Sequence, residues 1–144
     1  MTSTLYNRDY CLWLEKTVQL LQDGQLDELD IPNLIEEIED TGKSQKHALE
    51  SNLTVVLMHL LKYKYQPDVR SNSWKATIRE HRNRLKRAFR DSPRLRPYFT
   101  LVLDECYQDA RGLAIDETGL SGTTFPAELP FTADEILDSE YLSD

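Results

Sequence analysis

The sequence predicts an all-α fold, a four-helix-type bundle with one long second helix and a short C-terminal helix. Three observations carry this expectation. Apolar residues recur at three- and four-residue intervals along most of the chain, no run alternates with period two, and only five glycines and six prolines punctuate it. At 144 residues the chain has the usual length of one domain, expected over 1–144. Size scaling gives a chain of this length a real core, burying roughly 68 to 70% of its unfolded surface.

In the first helix Tyr10, Trp13, Leu14, Thr17, Leu20 and Leu21 form the apolar face, with Asn7 as its expected cap and Gly24 just past its end. An acidic linker, 27–30, follows. A second apolar face then runs through Ile31, Leu34, Ile35, Ile38, Leu49, Leu53, Val56 and Leu60 without losing phase. Pro32 suits a first turn, so one helix is drawn straight through Gly42. Unbroken over 31–65, it would be about 50 Å long at 1.5 Å per residue. The competing reading ends that helix at Gly42 and restarts it with Ser44 as cap.

Gln66 and Pro67 stop the long helix. A third begins near Ser73, with Trp74, Ile78, His81, Leu85, Ala88 and Phe89 on its buried stripe. Ser92 and Pro93 are read as cap and first-turn proline of a fourth helix, whose stripe is Phe99, Val102, Leu103, Cys106, Ala110, Leu113 and Ala114, ending at Gly119. Near the C-terminus Thr132 and Glu135 have capping-box spacing and Phe131 with Ile136 has staple spacing, which predicts a short docked helix.

Charge is distributed unevenly along this frame. Ten of the seventeen Lys and Arg residues fall between positions 70 and 96, against only Glu80 and Asp91. The chain as a whole carries −8, so acidic flanks enclose a basic element. Either the acids fold back onto that element or it faces an anionic partner. Neutralisation within the fold is the preferred expectation, with arginines meeting acids of the other helices, and it implies weakening by high salt or low pH. Only Cys11 and Cys106 are present, and both are read as core packing rather than a disulfide or zinc site. No membrane span and no secretion signal are read, so a cytoplasmic location is expected.

Several blocks carry a family resemblance. They are Asn-Leu-Ile-Glu-Glu-Ile-Glu-Asp-Thr-Gly at 33–42, His-Leu-Leu-Lys-Tyr-Lys-Tyr-Gln-Pro at 59–67, Ser-Trp-Lys-Ala-Thr-Ile-Arg-Glu at 73–80 and Ser-Pro-Arg-Leu-Arg-Pro-Tyr at 92–98. In this order they resemble the bacterial family called domain of unknown function 29, which is frequent in cyanobacteria. The resemblance extends over nearly the whole chain. It implies a mostly helical domain without an established activity, and supplies no catalytic residues or cofactor.

Two groups of residues are candidates for function. The first is basic and aromatic: Lys62, Tyr63, Tyr65, Arg70, Trp74, Arg79, Arg82, Arg87 and Arg90, where rings could stack on bases while guanidinium groups hold phosphates or an acidic partner. The second is acidic: Glu36, Glu39 and Asp40 with His59, which would suit a divalent metal and a metal-dependent hydrolase. No Glu-x-x-His pair, His-Glu-x-x-His motif, nucleophile elbow or phosphate-binding glycine loop supports that second group. The expectation is therefore a non-enzymatic protein-interaction or regulatory module without a cofactor, its partner most readily an unknown protein. Nucleic-acid binding by the third helix is the alternative, and the metal hydrolase the second alternative.

Overall fold

A computed structural model describes residues 4–143 of the chain. Among them are six α-helices and no strand: α1 (Leu5–Arg8), α2 (Tyr10–Gln22), α3 (Ile31–Tyr65), α4 (Asn72–Asp91), α5 (Leu95–Thr118) and α6 (Ala133–Leu137). The all-α class, the long helix and the short C-terminal helix are as the periodicity predicts. α3 passes through Gly42 without a break. The chain divides into two compact units, Met1–Ser44 and Gln45–Asp144. Their boundary falls inside α3, where the apolar phase continues and no linker marks it.

In the first unit Asp9, not Asn7, caps α2, its carboxylate accepting from the backbone N–H of Leu12. Asn7 lies inside the separate turn α1, which Thr4 caps. α2 ends where predicted. Gly24 takes φ 71°, and the N–H groups of Gly24 and Gln25 donate to the carbonyls of Leu21 and Leu20, a Schellman closure that left-handed glycine permits. Asp30 accepts from the backbone and side-chain amides of Asn33 at the start of α3. Only Trp13 and Thr17 of the expected α2 face are buried, whereas Tyr10, Leu14 and Leu21 are exposed. Cys11 is exposed too, which corrects its reading as core.

The second unit holds the core. Leu49, Leu53, Val56, Leu57, Leu60 and Leu61 of α3 pack with Ile78 and Leu85 of α4 and with Phe99, Cys106, Tyr107 and Ala110 of α5. Burial pushes the Cys106 thiol up to about 11. Ser92 and Pro93 do not open α5. The chain turns once more, with Leu95 N–H on the Ser92 carbonyl, and α5 starts at Leu95 without a side-chain cap. It stops at Gly119 in the left-handed conformation, φ 68°. The segment after it folds back: Arg111 donates to the carbonyls of Phe125 and Gly122, and Tyr107 donates to that of Pro126. Thr132 and Glu135 form the predicted capping box of α6, with Phe131 and Ile136 buried beside it.

Candidate functional site

The basic residues of α4 divide into an inner set and an outer set. Arg82 belongs to the core, 2% exposed. Its Nε donates to the carbonyl of Ile136 at 2.8 Å, Nη1 to that of Tyr141 at 2.7 Å and Nη2 to that of Glu135 at 3.1 Å. It thus closes the free carbonyl end of α6 and following turn, and cannot also reach an external ligand. Burial lowers its pKa. Arg70 is likewise held, with Nε on the Tyr63 carbonyl at 2.6 Å, Nη2 on the Ser143 carbonyl and its guanidinium 4.3 Å from the Tyr63 ring centre.

The expected stacking corner is a packing joint. Tyr63 is buried, and Tyr65 meets Phe125 edge-on at 5.9 Å. Trp74 is covered by the ammonium of Lys62, 4.8 Å from the ring centre, and the same ammonium pairs with Glu117 at 2.7 Å. Lys62, Tyr63 and Arg82 are thus buried, and Tyr65, Arg70 and Trp74 are half-buried, each engaged in these internal contacts.

What remains outside is a continuous row. Lys75, Arg79, Lys86 and Arg90 are all exposed and stand four, seven and four residues apart on α4, with Asn83 between them. Helical geometry places these four within a stripe about 60° wide and about 22 Å long. Arg87 flanks it, and a shallow cavity of about 500 Å³ is lined by Asn83, Lys86, Arg87 and Arg90. Lys75 was not singled out from the sequence, although its spacing to Arg79 was there to be read.

Among the described residues of the second unit no close ion pair joins α4 to another helix. Among the described residues the ion pairs are Lys62–Glu117, Arg84–Glu80 and Arg90–Asp91. The last two lie within α4 and are exposed, so they offset little of the field. Lys75, Arg79, Lys86 and Arg87 have no carboxylate partner among the described residues.

The acidic candidates do not assemble. Among the described residues no three His, Cys, Asp or Glu side chains are grouped to hold a metal ion. Glu36, Glu39 and Asp40 are exposed in the first unit, while His59 belongs to the second. The His59 Nδ1 lies 2.9 Å from the Val55 carbonyl, which only accepts, so Nδ1 carries the proton. Burial holds the His59 pKa below its ordinary 6.5. Glu37, in the same acidic block, accepts from both Tyr10 and Tyr6 hydroxyls and is thereby held below the usual carboxylate range.

A wide groove of about 900 Å³ runs between α3 and α5, lined by Val55 and Leu113 among polar residues that include His47, Glu50, Asp109 and Asp116. Glu50 accepts from the Tyr98 hydroxyl at 2.7 Å, which raises the phenol to about 12. Thr54 donates to the Glu50 carbonyl. The Tyr98 bond ties α5 to α3, while the Thr54 bond stays within α3.

Among the described residues no helix is long and apolar enough to cross a membrane. Neither the curated proteins nor the solved structures include a match to this chain. The model of one family matches residues 5–142, and by that match the chain belongs to the family described as domain of unknown function DUF29.

Proposed function

We propose that this chain is a non-enzymatic interaction module that docks an acidic protein segment along the outer face of α4. The observation that carries the reading is the exposed row Lys75, Arg79, Lys86 and Arg90, in which the one close ion pair among the described residues is Arg90–Asp91, within α4 itself. Four cations in line offer a helix or extended segment of like-spaced carboxylates one attractive contact per turn or two. Nucleic acid is the weaker fit. Of the rings that would stack on bases Tyr63 is buried and Tyr65 and Trp74 are half-buried, and a net charge of −8 opposes long-range attraction of a polyanion.

The test is fluorescence anisotropy with a labelled Glu-rich peptide and with single- and double-stranded DNA and RNA, at about 50 mM and about 200 mM salt. Expected is saturable peptide binding that weakens with salt and is lost in Lys86→Glu/Arg90→Glu, a change of exposed side chains that leaves the fold intact. Tighter binding of nucleic acid than of peptide would transfer the stripe to the phosphate backbone. No binding of any probe at the lower salt would end the proposal.

A further inference from the structure

The first unit leaves most of its apolar surface uncovered. Nine of the thirteen exposed large apolar side chains among the described residues lie in it, against a single buried one, Trp13. One buried side chain contributes about 1.5–3 kcal/mol, while fixing the backbone costs about 1–2 kcal/mol for each residue. Burial that this unit lacks must then come from something packed onto it.

The clearest stripe is on α3. Ile31, Ile35 and Ile38 are 46%, 51% and 65% exposed and stand four and three residues apart. Gly42 continues the row four residues on, and a Cβ placed there would meet nothing within 4 Å. A glycine inside a helix costs about 1 kcal/mol relative to alanine. Its own fold does not use the space, but a helix crossing at that point could come close to the backbone. The spacing of four, three and four is that of a helix-packing seam.

Charge decides between occupants. The first forty positions hold ten acidic side chains and two basic ones, and by helical phase Glu39 stands exposed beside the stripe while Glu36 and Asp40 are exposed on the far side of α3. The first cation on α3 is Lys43, past the glycine. A second copy docking through the same face would bring two such acidic segments together, whereas a basic helix would meet the net negative charge of this segment.

We infer that Ile31, Ile35, Ile38 and Gly42 form a docking seam for a basic amphipathic helix of a partner protein. This is a second surface, opposite in sign to α4. The chain then carries one site for an acidic segment and one for a basic helix, as an adaptor would.

The probe is a labelled amphipathic Leu/Lys peptide of about twenty residues, compared by anisotropy with a Leu/Glu peptide of equal length on the full-length Lys86→Glu/Arg90→Glu variant, whose α4 row no longer attracts an acidic peptide. Saturable Leu/Lys binding about tenfold tighter or more is expected, weakened about tenfold by Ile35→Ala/Ile38→Ala and by Gly42→Leu. Leu101→Ala, an exposed site on α5, should leave it unchanged, and so should restoring Lys86 and Arg90. Equal affinity for the two peptides, or affinity indifferent to Ile35→Ala/Ile38→Ala, would overturn the proposal. So would a concentration-dependent dimer in sedimentation velocity that the same double variant dissociates, since the seam would then belong to a second copy.

Discussion

The Nε of Arg82 and the carbonyl oxygen of Ile136 meet at 2.8 Å, fifty-four positions apart in the chain, inside the core of the second unit. Two further bonds from the same guanidinium fasten Glu135 and Tyr141, so one side chain of α4 holds the whole C-terminal segment. Arg82→Met keeps much of the volume and leaves three carbonyls without their donor. A loss of about 3 kcal/mol or more is expected in urea unfolding. Arg82→Lys, which retains the charge but not the fork, should fall between. A cost below about 1 kcal/mol for Arg82→Met would show that solvent replaces the fork.

Glycines at 42 and 119 should respond in opposite directions. Gly42→Ala adds a methyl group into open space within a helix, and should stabilise the free chain by about 1 kcal/mol. Gly119→Ala forces an L side chain to φ 68° and should destabilise by about 1 kcal/mol. Thermal melts of the two variants beside the wild type decide it, and a Gly42→Ala chain that melts lower would mean the site is not open.

Acid should weaken the fold in two separable steps. His59 has its folded pKa below 6.5, so its contribution is full above that value and is lost as pH falls through the depressed one. Glu37, held low first by the Tyr10 hydroxyl and then by that of Tyr6, acts in the same direction below the ordinary carboxylate value of 4.5. Urea midpoints followed from about pH 7 to about pH 3 should show the upper step vanish in His59→Gln and the lower one in Glu37→Gln. Identical profiles in wild type and both variants would assign acid sensitivity to other groups.

Lys62 should matter more than the acid it pairs with. Its side chain is 6% exposed under Trp74, whereas that of Glu117 is 53% exposed. Glu117→Gln should cost below about 1 kcal/mol, and Lys62→Ala about 2 kcal/mol, through lost packing and lost contact with the ring. Equal costs for the two would give the ion pair the larger share.

Much of the frame was legible because helix punctuation is local. Gly24 and Gly119 announce left-handed stops, Thr132 with Glu135 announces a capping box, and unbroken apolar phase carries α3 through Gly42. Coverage is not local. Leu14, Leu21, Ile31 and Ile35 have the spacing of a buried face, yet nothing in a periodicity says whether another element lies over it. The candidate site was blurred by a related difficulty. Arg82 stands four residues after Ile78 and three before Leu85, so helical phase alone puts it on the buried stripe. Its charge argued for solvent, and the three carbonyls that reward its burial come from a distant segment. Once Arg82 and Lys62 are placed inside, the outer row of α4 becomes plain.

Arg82, Arg70 and Arg111 share a habit described above: each directs its guanidinium at backbone carbonyls rather than at carboxylates. A carbonyl does not titrate, and dissolved ions compete poorly for a donor already enclosed. Cohesion and recognition in this molecule therefore answer to different variables. Raising ionic strength should release the acidic segment proposed for α4 while the interior stays locked, which would make salt a reversible control of that docking and a poor denaturant of the protein.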